Sequence, residues 1–339
     1  MVESEKNEAL IINYQSDTQL IRITGIPEGF IKFKLKRSLI YKVLLFLDAL
    51  NNSMKLYPIN AGNFKLDGGA MFGVVPKSLW QRTNPADANN MIDIAARCLL
   101  IEDGDRLILI DNGMGDKQSD KFFGYYYPWG DDSLDASLEK HGFHKDDITD
   151  VFLTHLHFDH CGGSVIWNKD RTGFETAFKN ATYWSNKDHW KWATQPNRRE
   201  KASFLTENII PIEESGQLKF TSLPSGSILN NSELGFDIFF ADGHTDKQMI
   251  PMINYKEKTI CFMADLLPTA GHLPIPFVMG YDTRPLLTLD EKEAFLNAAA
   301  DHNYYLFLEH DAHNELVTVQ HTEKGVRLKD RFTCEDIFN

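Results

Sequence analysis

The sequence predicts an α/β fold with its functional site along one edge of a sheet. Three observations carry that expectation. Short apolar runs that read as buried strands recur at 151–153, 236–240, 259–263 and 304–308, and each is followed at once by a residue of metal-binding type: His155, His244, Asp265 and His310. Two segments have helical spacing: 34–50, with Leu39, Ile40, Val43, Leu44, Leu47 and Leu50 at i, i+3, i+4 intervals, and 131–141, with Leu134 and Leu138 facing inward. Asp103-Gly104-Asp105 between the apolar runs 98–101 and 107–110 marks a β-hairpin. A sheet that sets several strand ends along one edge gathers their side chains into one cleft.

The 339 residues suffice for one large domain or two ordinary ones. Apolar content of 42% and charged content of 24% are those of a soluble globular chain. A net charge of −13 argues against nucleic acid as a partner, because phosphate backbones select basic faces. Cys98, Cys161, Cys261 and Cys334 have no CxxC spacing, which reads as a reduced, cytoplasmic compartment. The most apolar stretch, 39–50, is interrupted by Lys42 and Asp48 and is shorter than the ~20 residues a membrane span needs. It also lies behind a polar lead, too far from Met1 for an ordinary signal peptide. Neither membrane insertion nor export is expected.

Residues 1–53 differ from the remainder. Residues 3–8 are polar and charged, 18–33 can hold short strands, and 34–50 reads as one helix. The basic group Lys32, Lys34, Lys36, Arg37 and Lys42 fits a membrane-surface helix. The preferred reading is a loosely attached N-terminal extension, with the main domain at 54–339 and Met54 as an alternative start. Lys55-Leu56-Tyr57-Pro58-Ile59 then reads as the first core strand.

The glycines of 62–80 predict a loop with close backbone approaches, and its Met71, Phe72 and Trp80 are too apolar for an idle surface. Such a loop either lines the site or folds onto the core. Asp111-Asn112-Gly113 closes the second hairpin strand. Residues 122–129 hold six aromatics, broken by Gly124 and Pro128, and do not fit a regular helix. They either cover the core or wall an apolar pocket, with Phe122 and Tyr125 as candidates.

The stretch Thr154-His155-Leu156-His157-Phe158-Asp159-His160 packs three histidines and a carboxylate into six residues. Imidazole and carboxylate suit zinc and other first-row divalent metals, and such a cluster reads as a metal site. Asp159 and His160 cannot easily serve the same ion as His155 and His157, so the spacing points to two adjacent ions. Downstream, 183–192 reads as a helical stripe of Trp used in packing, His189 as structural or exposed, and 197–201 as polar and exposed. His141, His144, His302 and His321 lie in polar surroundings and read as exposed, while His313 follows His310 at a spacing that suits a helix face.

His-x-His-x-Asp-His after a strand resembles the signature of the metallo-β-lactamase superfamily. The resemblance implies an αββα sandwich with a di-metal site at the sheet edge. It also implies roles for the residues at the later strand ends. Gly243-His244-Thr245 resembles the element that gives the first metal its third histidine, and Asp265 the carboxylate that bridges both metals. His310 resembles the last ligand of the second metal, and Asp111-Asn112-Gly113 a turn whose Asp supports the metal loop from behind. The cofactors implied are two divalent ions, zinc first, with manganese, iron or cobalt also suited to N/O ligands.

Within the superfamily, 68–77 (Gly-Gly-Ala-Met-Phe-Gly-Val-Val-Pro-Lys) and 266–282 resemble segments of the quorum-quenching N-acylhomoserine lactonase group. That likeness implies hydrolysis of a small-molecule lactone by a hydroxide bridging two ions. Asp159 would act as metal ligand and general acid, and Met71, Phe72, His272 and Tyr281 would be pocket residues. Some lactonases have a Tyr three residues after the bridging Asp. Here Pro268 stands there, so Tyr281 or a metal must stabilise the oxyanion. A phosphotriesterase or a glyoxalase II-like thioesterase would use the same metals, and a metal-binding sensor is the non-enzymatic alternative. Homodimerisation is left open, with 1–53 and the aromatic stretch as the places for it.

Overall fold

The computed structural model describes residues 10–13, 20–23 and 54–339. The helix expected at 34–50 and its basic group lie outside the described residues. The chain divides into two units, Met1–Ser53 and Met54–Asn339. In the first, β1 (Leu10–Asn13) pairs antiparallel with β2 (Leu20–Ile23).

The second unit begins with β3 (Lys55–Asp67), β4 (Met91–Asp103), β5 (Arg106–Ile110) and β6 (Asp150–Phe152). A small hairpin follows, β7 (Val165–Trp167) and β8 (Phe174–Thr176). With β9 (Thr182–Ser185) and β10 (Leu218–Phe220), six strands form one sheet in the order β10-β9-β6-β5-β4-β3. The other sheet runs in chain order through β11 (Ile228–Leu229), β12 (Asp237–Ala241), β13 (Gln248–Tyr255), β14 (Lys258–Phe262), β15 (Tyr305–Phe307), β16 (Leu316–Thr322) and β17 (Gly325–Phe332).

The apolar runs are explained by burial on both sheet faces, which removes the usual alternation of polar residues. Along β4, Leu99 and Ile101 join the core between the sheets, against Ile238, Ile250 and Phe262. Cys98 and Leu100 point the other way, into a second core that holds Leu138, Ile209 and Ile212. These three side chains come from helices on the outer face. Phe295, Leu296 and Ala299, from the helix Pro285–His302, pack on the second sheet, with Phe295 set 5.2 Å from Phe239. The layers are therefore αββα. Among the described residues no helix is long and apolar enough to cross a membrane. All four cysteines are free and buried.

Several local expectations are corrected. Residues 62–80 are not one loop: β3 continues to Asp67, paired with Met91, and two short helices follow, α1 (Gly68–Phe72) and α2 (Lys77–Trp80). Asp67 caps α1 by accepting from the Ala70 N–H at 2.8 Å. The close approaches are real, since a Cβ on Gly68 would enter the Trp80 ring. The Trp-rich stretch is not one helix. Trp184 lies on β9, and the helix Lys187–Thr194 starts only after Asn186, whose side chain accepts from the His189 N–H. His141 is half-buried, with Nε2 3.2 Å from the Pro58 carbonyl. His313 sits in a turn rather than on a helix. Glu200, expected to be exposed, is 3% exposed.

One cross-link between the sheets places the last strand end. The Arg97 guanidinium is buried and donates to the carbonyls of Leu308 (2.8 Å) and Asp311 (2.9 Å). The Arg97 and Ala95 N–H groups donate to the carbonyls of Glu309 and His310. Strand β4 thus holds segment 308–311 against the edge where β6 ends.

Candidate metal centre

Past β6 the chain turns across the end of its parallel neighbour β5. Asp111, just after β5, has φ +56, a left-handed conformation that Asp tolerates. Its Oδ1 accepts from the Thr154 N–H at 2.8 Å and its Oδ2 from the Thr154 hydroxyl at 2.6 Å. One helical turn, Phe158–Cys161, then carries Asp159 and His160 inward. Gly162 and Gly163 follow because segment 112–114 lies directly behind: a Cβ on either would overlap the Met114 or Asn112 carbonyl.

The structure brings the candidate side chains into two buried groups, one of His155, His157, His244 and Asp265, the other of Asp159, His160 and His310. His157 Nδ1 lies 3.0 Å from His155 Nε2 and 3.1 Å from His244 Nε2. His160 Nε2 and His310 Nε2 are 3.1 Å apart, and Asp159 Oδ2 is 3.9 Å from His310 Nε2. Asp265 stands between the groups. Its Oδ2 is 3.0 Å from His244 Nε2 and 3.7 Å from His155 Nε2, while its Oδ1 is 3.2 Å from His310 Nε2.

The far nitrogens of His155, His160, His244 and His310 each face an acceptor within 3.1 Å, which fixes where their protons sit. The Thr154 hydroxyl, already donating to Asp111, accepts from His155 Nδ1 at 3.1 Å. His160 Nδ1 faces Asp111 Oδ2 at 3.0 Å and Glu309 Oε2 at 3.1 Å. His244 Nδ1 faces Asp282 Oδ1 at 3.0 Å, and His310 Nδ1 the Ala95 carbonyl at 2.8 Å. The remaining nitrogens turn their lone pairs toward one another.

That arrangement fits a metal and little else. Converging lone pairs repel unless a cation lies between them, and Asp265 Oδ1 is buried without a hydrogen-bond partner among the described residues. Burial, and then the His160 and His157 imidazoles, hold His155 well below the ordinary histidine range, so it is a neutral donor. Burial lowers His244 too, but Asp265 and Asp282 outweigh it and raise it to about 10. The carboxylates draw positive charge to this point, as proton or as metal ion.

The sequence profile of the metallo-beta-lactamase superfamily matches residues 93–310, most of the chain and both side-chain groups. The chain belongs to the metallo-β-lactamase superfamily. It is similar in structure to a probable metal-dependent hydrolase from Staphylococcus aureus, at 27% identity and a TM-score of 0.72 over 84% of this chain and 98% of that one. It is also similar to AidC, a dizinc quorum-quenching lactonase solved with a product, at 25% identity and a TM-score of 0.65 over 83% and 96%. The N-acyl homoserine lactonase AiiA of Bacillus thuringiensis subsp. kurstaki is 25% identical over 144 residues, 38% of this chain and 53% of that protein. The chain thus spans about half the length of the curated relatives it matches. The match spans both side-chain groups, whose His and Asp residues are able to hold divalent ions.

Over the two groups this metallo-β-lactamase-fold chain opens a cleft of about 330 Å³. Met71 and Tyr281 line it, as do Leu66, Tyr126, Phe158 and Met279. The other expected pocket residues lie elsewhere. Phe72 is fully buried, stacked between Trp80 and His272 with ring centroids 5.3 and 4.2 Å away. His272 is buried, its Nε2 on the Met71 carbonyl and its Nδ1 on the Thr269 hydroxyl, and burial pushes it down to about 4. It is packing, not a substrate contact. Phe122 supports Phe158 edge-on at 5.3 Å, and Tyr125 points outward at 61% exposure while its neighbour Tyr126 turns in.

Sequence reasoning missed Glu200, Asp282 and Glu309. Asp282 ends the lactonase-like segment, and Glu309 precedes a ligand candidate, so both had a weak signal. Glu200 had none.

Proposed function

We propose that this protein is a metal-dependent hydrolase that opens the lactone ring of N-acylhomoserine lactones, with residues 54–339 as the catalytic domain. The observation that carries the reading is Asp265, whose two oxygens face two histidine groups at the floor of an apolar cleft. The likeness to AidC and to segments of the lactonase group supports the substrate.

His155, His157 and His244 would hold one ion, Asp159, His160 and His310 the other, and Asp265 both. Divalent ions held there, zinc first, would lower the pKa of water toward ~7 and polarise a carbonyl. Asp159, on the cleft wall, takes the remaining proton of the attacking water and passes it to the leaving alkoxide. The Tyr281 phenol also faces the cleft. Burial and then Asp159 push it above its ordinary range, so it stays protonated and donates to the developing oxyanion. Met71, Phe158 and Met279 take the acyl chain.

The test is a pH-stat assay of the zinc-loaded protein on N-acylhomoserine lactones, a phosphotriester and a thioester. Lactone turnover should dominate. Turnover of another ester with lactones untouched overturns the substrate, and no turnover of any ester with two ions bound makes the protein a metal-binding sensor.

A further inference from the structure

We propose that Glu200 is a positioning residue that holds His157 in the three-histidine group and sets the affinity of that group for its ion. The inference rests on the reading that the group binds metal and not on the identity of the substrate.

Glu200 sits in a polar turn that the sequence places at the surface. Asn197 Oδ1 accepts from the Arg199 N–H (2.8 Å) and the Glu200 N–H (3.1 Å), and this turn separates the two neighbours. The Arg199 guanidinium goes to the Gly280 and Asp282 carbonyls, and the Glu200 carboxylate goes inward. There its Oε1 accepts from the Thr245 hydroxyl at 2.6 Å, and its Oε2 from Trp192 Nε1 at 2.8 Å and from the Asn197 amide. Three donors thus converge on its two oxygens, the arrangement that an acceptor-only carboxylate takes.

A buried carboxylate is costly unless its charge is matched. Among the described residues Glu200 has no Lys or Arg partner within ion-pair distance, and the basic side chain it faces is His157, with Nε2 3.5 Å from Oε1. His157 Nε2 is buried and has no hydrogen-bond partner among the described residues. The other four histidines of the centre each have an acceptor behind them within 3.1 Å. Glu200 stands where the fifth acceptor belongs. A proton on Nε2 facing this carboxylate leaves the Nδ1 lone pair turned toward His155 and His244, and the negative charge makes Nδ1 more basic. Through Thr245, the residue after His244, the same carboxylate also ties the two histidine-bearing loops together. An ion held on the far side of the His157 ring would thus supply the charge that balances Glu200.

The test titrates the metal-free full chain with Zn²⁺ against a chelating indicator. Wild type should take two ions. Glu200→Gln should keep the far-UV spectrum of wild type and lose ~10–100-fold in affinity at one site alone, the magnitude typical of groups behind a metal ligand. In the zinc-loaded protein the His157 Nε2–H proton resonance should move upfield in the variant, a change that a merely structural role would not produce. Should Glu200→Gln fail to fold, Thr245→Val, which removes only a hydroxyl donor, should show a smaller loss at the same site. Affinities within twofold of wild type at both sites, or an unshifted proton, overturn the proposal. A wild type that takes up no zinc overturns both the proposal and the metal reading. Inactivity on lactones with normal zinc binding sinks only the substrate.

Discussion

Asp111 Oδ2 lies 3.0 Å from His160 Nδ1 and 2.6 Å from the Thr154 hydroxyl, which in turn lies 3.1 Å from His155 Nδ1. One buried carboxylate therefore orients a histidine in each group. In Asp111→Asn one of the two oxygens becomes an N–H₂ donor, which must face either the Thr154 N–H or the edge shared by Thr154 and His160. Affinity should fall at both zinc sites, by ~10–100-fold. Stability should drop by about 1–3 kcal/mol from the unsatisfied buried groups. Zinc competition and urea denaturation of the same variant separate the two effects. Loss at a single site would show that Thr154 does not relay the orientation to His155.

The contrast between Asp111 and Glu200 explains what was legible in the sequence. The strand ends could be read because each candidate ligand follows its strand within a few residues, so spacing carries the information. The hairpin could be read for the same reason: Gly104 has φ +58, a local demand that Asp-Gly announces. Glu200 meets Thr245 across 45 residues and Asp282 meets His244 across 38, and no spacing encodes those contacts. Residues 62–80 misled because their glycines resemble loop signals, whereas pairing of Asp67 with Met91 extends the strand. Aromatic content likewise cannot tell Phe72, in the core, from Tyr126, on the cleft.

Lys292 should make the segment bearing Tyr281 sensitive to pH. Its ammonium is 1% exposed and donates to the carbonyls of His272 (3.0 Å), Pro274 (3.2 Å) and Phe277 (2.8 Å). Burial, opposed by Asp282, lowers it from the ordinary 10.5 to about 7. A base with a lowered folded pKa costs stability in full below that pKa, and the cost fades as pH climbs toward the unfolded value. Between pH 7 and 10.5 the unfolded chain holds the extra proton, so wild-type stability should rise relative to Lys292→Met. Urea denaturation of both at pH 6.5, 8 and 9.5 measures the difference. If it does not change with pH, Lys292 keeps an ordinary pKa and its three carbonyls simply solvate a permanent charge.

Gly162 sits where the backbone behind the site leaves no room for a side chain. Gly163 donates to the Gly113 carbonyl at 3.0 Å, Asn112 to the His160 carbonyl at 2.9 Å, and a Cβ on Gly162 would overlap the Met114 carbonyl. Gly115, at φ +66, faces the same contact from the other side. An alanine at 162 must push the turn that carries Asp159 and His160 away from the strand end. Gly162→Ala should therefore cost about 1–3 kcal/mol, as overpacking does, and should weaken zinc at the second site. Gly226→Ala is the control. Nothing lies within 4 Å of its Cβ position, and its change should stay within about 0.5 kcal/mol. Denaturant midpoints and zinc stoichiometry decide the matter. A Gly162→Ala protein as stable as the control would mean that segment 112–115 can yield, and that the glycine is not required for placing His160.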